Sequence, residues 1–166
     1  MTLPPRFSDA RAADFAGRRR CSITGQLGRG VHGSVHLTSA MTAIKAHNTI
    51  ISYARELACY NRLHTLNVSE ICGHHVPQFL AHHDELWVIE MTIVTLPFLL
   101  DFAGAYLDWP PEFSDDVLAQ WQHDKAEQFG IHWPQVQNIL AILEHQYDIF
   151  MIDVHPGNIA FAQDGP

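Results

Sequence analysis

The sequence predicts an α+β fold, with short strands and one helix first and a mainly helical part after them. Three observations carry this. The stretch LGRGVHGSV, residues 27–35, spaces its glycines as G-x-G-x-x-G and runs into SVHL and then MTAIKAH around Thr38-Ser39-Ala40, which reads as strands joined by a turn. Ile50, Tyr53, Leu57, Tyr60 and Leu63 recur at helical spacing, so 49–64 is a helix. Beyond Pro97 the periodicity is helical again.

Taken in order, residues 1–20 read as a polar lead-in with Pro4-Pro5 and no firm periodicity. Residues 21–96 form a first unit, in which Val35, Leu37, Ala43 and Ile44 are strand formers. Strands at 76–81 and 86–94 flank the turn His82-His83-Asp84-Glu85. Residues 97–166 form a second unit. Ser114 is placed to cap a helix that Gly130 ends, and Pro134 suits the first turn of another, whose stripe is Val136, Ile139, Leu140 and Leu143. The chain then reads IFMI, DVHPGN and IAFA, a strand, a loop and a strand, followed by a turn at Asp164-Gly165.

Composition narrows the function. The chain has 166 residues, 47% of them hydrophobic, which suffices for a domain with a proper core. Its net charge of −8 excludes a nucleic-acid protein, and the basic run Arg18-Arg19-Arg20 reads as solvated. Cys21, Cys59 and Cys72 are odd in number and lack C-x-x-C pairing, so no disulfide framework is expected. The apolar stretch 86–100 is shorter than a bilayer span of ~20 residues and contains Glu90 and Pro97. With no signal-peptide run, a cytoplasmic protein without membrane partners is expected.

Two unrelated folds use G-x-G-x-x-G. In the dinucleotide-binding version the last glycines open a helix, and an acidic residue follows about 20 residues on. Here Gly33 leads into a strand and no such acidic residue closes a second one. The alternative is a glycine hairpin covering nucleotide phosphates, with a lysine on the next strand oriented by a helical carboxylate. Lys45 and Glu56 stand where these are needed, and Asp153-Val-His-Pro-Gly-Asn158 holds an Asp and an Asn five positions apart on a loop between apolar strands. Such an Asp can accept a proton from an attacking hydroxyl, and such an amide oxygen can bind Mg²⁺.

In that order these segments resemble the protein-kinase-like superfamily, in its bacterial, aminoglycoside-phosphotransferase-like branch. GRGVHGSV resembles the glycine-rich loop, AIK the strand-three lysine motif, RELACYNRL its partner helix, LWVIEM the strand into the adenine-binding hinge, and DVHPGN the catalytic loop. The resemblance implies an antiparallel-sheet small lobe with one helix and an incomplete, mainly helical second lobe. It implies ATP and Mg²⁺ as cofactors, a hydroxyl acceptor, and transfer of the γ-phosphate. Gly28, Gly30, Gly33 and Val35 would cover the nucleotide, Lys45 would pair with Glu56, and the backbone of Glu90 and Thr92 would meet the adenine, with Ile89 behind it. Asp153 would be the base, Asn158 a magnesium ligand, and His155 a phosphate contact or a brace of the loop.

Two departures follow. The family's His two residues before the catalytic Asp is Met151 here. The family's second magnesium ligand, the Asp of D-F-G, is expected thirteen residues after the Asn, yet the chain stops eight residues after Asn158. Asp164 cannot replace it, because six strand residues span ~20 Å against a Mg–O distance of ~2.1 Å. A segment truncated before D-F-G is therefore expected, and with it either a phosphotransferase or a pseudokinase that binds nucleotide without catalysis. Apolar surface on 134–146 and 159–162 would be covered by a second subunit or another partner. A metal protein built on Cys72, His74, His75, His82 and His83 is disfavoured, since the spacing fits no zinc pattern. Trp87, Trp109, Trp121 and Trp133 read as core or hinge packing.

Overall fold

The structure, a computed structural model, describes residues 5–162, so the turn expected at Asp164-Gly165 lies outside the described residues. The chain opens with helix α1 (Pro5–Arg18), followed by strands β1 (Ile23–Gly30), β2 (Gly33–Thr38) and β3 (Thr42–His47), and helix α2 (Ile50–Thr65). Short strands β4 (Glu70–Ile71) and β5 (His74–His75) precede β6 (Phe79–His83) and β7 (Val88–Thr92). Then come β8 (Phe98–Leu99), β9 (Tyr106–Leu107), helices α3 (Asp115–Phe129) and α4 (Trp133–Tyr147), and strands β10 (Ile149–Phe150) and β11 (Ile159–Ala160).

The main sheet has the order β1-β2-β3-β7-β6 and is antiparallel throughout. Thr49 caps α2 by accepting from the Ser52 amide, and Ser114 caps α3 in the same way through Val117. The α+β architecture expected from the sequence is therefore present, with a sheet and one helix on the inner face and helices in the second half.

Alternation along β3 sends its side chains to two cores. Ala43 joins the large core with Ile89, Met91, Tyr53, Tyr60 and Leu63, which continues into Val136, Ile139, Leu143 and Ile159. Ile44 and Ala46 face the other way, into a second core with Val88 and with Ala12, Phe15 and Ala16 of α1. The polar lead-in expected over 1–20 is thus corrected. Its apolar residues are few, but Ala12, Phe15 and Ala16 fall on one face and are almost fully buried. Polar anchors hold α1 as well: Arg19 pairs with Glu90 at 2.6 Å, and Glu90 also accepts from Thr42 at 2.7 Å.

The second half is built on small pairings that the sequence did not announce. β11 pairs antiparallel with β8, β5 runs parallel to β8, and β10 pairs antiparallel with β9. The expectation of an exposed apolar face on 134–146 and 159–162 is also corrected. Val136, Ile139, Leu143 and Ile159 are fully buried within this chain, and exposed apolar residues of the second half include instead Phe113, Val117, Leu118 and Ile131. Trp109, expected to pack, is 80% exposed, whereas Trp87, Trp121 and Trp133 lean on the core. No helix among the described residues is long and apolar enough to cross a membrane.

If α1 is part of the folded unit, Phe15→Ala empties the middle of the second core. Urea unfolding of that variant should show a loss of about 3 kcal/mol; a loss below about 1 kcal/mol would mean that α1 is not structurally committed.

Candidate functional site

A cleft of about 660 Å³ lies between the sheet and the loops of the second half, lined by residues from both. The roof is the β1–β2 hairpin, with Gly28, Gly30, Gly33 and Val35 on its inner surface. Gly33 has a backbone reason to be glycine: a Cβ there would stand 2.2 Å from the carbonyl oxygen of Ala46 on β3. The hairpin tip is fixed by Asn48, whose backbone amide donates to the carbonyl of His32 at 2.9 Å and whose side chain donates to Val31 at 3.0 Å.

The cleft's inner wall carries the charges. Lys45, on the inner face of β3, is 4% exposed, and its Nζ lies 2.7 Å from Glu56 Oε2 on α2 and 2.8 Å from Asp101 Oδ1. Burial works against the Lys45 ammonium, but the Glu56 and Asp101 carboxylates outweigh it and hold its pKa above the ordinary value. Burial likewise pushes Glu56 up, yet Lys45 and His47 bring it down to about 2. Glu56 Oε1 also accepts from the Phe102 amide at 3.2 Å, so the carboxylate binds the loop after β8 to α2.

The floor is the 153–158 loop. Asp153, His155, Gly157 and Asn158 all line the cleft. Asn158 Nδ2 donates to the Asp153 carbonyl at 3.0 Å, and the backbone carbonyl of Asn158 accepts from Leu100 at 2.9 Å. That last bond ties the loop to the residue next to Asp101. Met151 is buried in the core and gives Asp153 no polar brace. Two imidazoles stand near its carboxylate, His32 Nε2 at 3.7 Å and His155 Nε2 at 3.9 Å. Gly104 leaves room for this: a Cβ there would lie 3.2 Å from Asp153 Cβ and 3.4 Å from His32 Nε2.

Of the site residues named from sequence, Gly28, Gly30, Gly33, Val35, Lys45, Glu56, Thr92, Asp153, His155 and Asn158 line this cleft. Glu90 does not. Its side chain turns to the α1 face, and the lining along β7 and beyond is Met91, Thr92, Ile93 and Val94. The strand alternates, so Ile89 and Met91 share the face opposite Glu90; both join the large core, and Met91 also borders the cavity. Two functional candidates were missed. Asp101 opens D-F-A-G at 101–104, a signal that lay before the 153–158 loop instead of after it. His32, at the hairpin tip, has no local signature. Among the described residues no three His, Cys, Asp or Glu side chains converge on one metal-sized point.

No protein-family model matches the chain, and no curated protein does. Among solved structures the chain is similar to that of the streptomycin–ATP–APH(2")-IIa ternary complex, at 13% identity and a TM-score of 0.39. The match covers 87% of this chain and 56% of that one, so the chain spans a little over half the length of its structural neighbour.

The depressed Glu56 carboxyl sets an acid dependence. Its pKa is below the unfolded value of 4.5, so its stabilisation is fully present above that value and is lost as pH falls toward about 2. Urea titrations between pH 6 and pH 3 should show the wild type losing stability more steeply than Glu56→Gln; parallel slopes would contradict the ionised, buried carboxylate.

Proposed function

We propose that the chain binds ATP with Mg²⁺ in this cleft and transfers the γ-phosphoryl group to a hydroxyl acceptor on a protein or a small molecule. The observation that carries this reading is the meeting of Lys45 and Asp101, 2.8 Å apart, under a glycine hairpin and beside the Asp153–Asn158 loop. Neither residue is near the other in sequence, and neither contact serves the apolar core.

The roles follow from chemistry. The hairpin glycines let backbone amides come close to phosphate oxygens. Lys45 Nζ, already held by Glu56, would exchange its bond to Asp101 for bonds to the phosphates. Asp101 and Asn158 fit a magnesium ion: they offer a carboxylate and an amide oxygen, hard donors suited to an ion that takes its other ligands from phosphate and water. Bound there, the ion would neutralise phosphate charge. Asp153 accepts the acceptor's hydroxyl proton as the new O–P bond forms and the bond from the γ-phosphorus to its bridging oxygen breaks, releasing ADP. The proton then leaves Asp153 for solvent.

This reading replaces the expected loss of the second magnesium ligand. β8 lies antiparallel to the strand that follows the catalytic loop, and it leads directly into Asp101-Phe102-Ala103-Gly104. The segment sought after Asn158 is thus supplied from about sixty residues upstream, by a connectivity rearranged relative to the resemblance. A second reading, a nucleotide-binding module without transfer, draws on Met151, which leaves Asp153 without the family's brace.

Calorimetry and a coupled ADP assay separate the two. Lys45→Met should weaken Mg·ATP binding by about tenfold or more, the value of a charge-assisted bond. Asp153→Asn should keep ATP affinity within about threefold and lower turnover by ~10²–10⁴. Asp101→Asn should abolish the dependence of nucleotide binding on Mg²⁺. Wild type that binds Mg·ATP but forms no ADP with any acceptor or water selects the second reading; no binding at all rejects both.

A further inference from the structure

β3 places a second ionisable group on the same carboxylate as Lys45. His47, two residues on and on the same face of the strand, is fully buried, and its Nε2 lies 2.6 Å from Glu56 Oε2. Its other ring nitrogen, Nδ1, lies 3.1 Å from the carbonyl oxygen of Trp87. A carbonyl oxygen only accepts, so the Nδ1 bond requires a proton on that nitrogen. Glu56, which faces Lys45 Nζ at 2.7 Å and accepts from the Phe102 amide at 3.2 Å, is a carboxylate and also only accepts, so the Nε2 bond requires a proton as well. An imidazole that donates from both nitrogens is an imidazolium.

The charges agree with this count. Lys45 and Glu56, almost fully buried, and Asp101, partly buried, carry one positive and two negative charges, and a protonated His47 brings the group to zero. A neutral ring would leave the group with one excess negative charge, with Glu56 1% exposed and Asp101 on the cleft lining. The remaining groups facing the ring are Tyr53, edge-on with its centroid 5.6 Å away, and Arg11 of α1, which donates to the backbone carbonyl of His47 at 2.7 Å. The Tyr53 hydroxyl is committed to Asp84 at 2.6 Å, and Arg11 is itself a donor, so neither accepts a proton from the ring.

We propose that His47 is a positioning residue, a buried imidazolium that serves as the second cation of Glu56. It shares the charge of that carboxylate with Lys45, which stays held by Glu56 while it exchanges Asp101 for phosphate. Without it, Glu56 would hold Lys45 more tightly, and the ammonium would have less charge to give the nucleotide. This rests on the reading of the cleft as a nucleotide site, but its central element, the doubly protonated ring, can be observed without nucleotide.

The full chain, labelled with ¹⁵N-histidine, gives long-range ¹H–¹⁵N spectra in which His47→Gln identifies the His47 ring. The spectra are taken at about pH 8, where an imidazole with the ordinary value of ~6.5 is neutral. The expected result is that both His47 nitrogens remain protonated there. One unprotonated nitrogen on His47 under those conditions overturns the proposal. Mg·ATP titration supplies the functional arm. His47→Leu should weaken binding about tenfold, and His47→Gln, which can still donate to Glu56, should fall between Leu and wild type with a melting temperature close to wild type. Equal ATP affinity in wild type and His47→Gln together with His47→Leu overturns the positioning role. If His47→Leu does not fold, the Gln variant decides, with unchanged affinity counting against the role. Wild type that binds no ATP defeats the nucleotide reading, and the spectra still decide the state of His47.

Discussion

Glu56 is 1% exposed, and a carboxylate at that depth costs several kcal/mol in lost hydration unless donors surround it. Here three groups provide them: Lys45 and His47 from β3, and the Phe102 amide from the loop after β8. The penalty is offset only when all three are in place, so one buried charge fixes the helix, the central strand and the loop relative to each other. Phe102 adds an apolar tie to the same joint, fully buried with its ring edge-on to Tyr60 of α2. Arg55 over the Tyr106 ring and Arg62 on Asp108 continue the attachment along α2. The cleft is held in shape by the connections that set its charges.

The outer face of the sheet shows the same logic with different residues. Glu90 is 3% exposed on β7 and faces away from the cleft, where Arg19, just after α1, and Thr42 satisfy it. Asp9 of α1 pairs with Arg29 on the glycine-rich strand at 2.6 Å, and Arg11 donates to the carbonyls of Leu86 and His47. α1 therefore supports the backbone of β1 and β3, the two strands that carry the hairpin glycines and Lys45. Its role could not be read from its own letters, because Ala12, Phe15 and Ala16 make a narrow stripe among polar residues, too weak a periodicity to stand out.

What was legible in the sequence was local. The hairpin, the α3 cap at Ser114, the stripe of α4 and the D-x-x-x-x-N loop each depend on neighbours in the chain, and each lies where its pattern puts it. What was not legible depends on pairing at a distance. Alternation on β7 decided that Glu90 faces α1 and Met91 the cavity, and a shift of one residue exchanges those faces. Burial of α4 required a partner surface that the sequence pattern did not specify. Asp101 was hidden for a further reason, since its segment stands on the opposite side of the 153–158 loop in chain order from where the resemblance places it.

That displacement is physically inexpensive. The β8–β11 ladder needs only that Leu99 face Ile159 and Phe98 face Ala160; it is indifferent to whether a tight turn joins the strands. Bringing together segments about sixty residues apart, instead of the four or so of a hairpin, spans about four doublings of loop length, or ~2.4 kcal/mol. Leu99, Phe102 and Ile159 are each fully buried at this joint, and each such side chain is worth ~1.5–3 kcal/mol. Packing thus outweighs the extra closure entropy before any hydrogen bond is counted. A cleft assembled this way is defined by which side chains face it, and the order in which the chain delivers Asp101, Asp153 and Asn158 is free to change so long as the β8–β11 register holds.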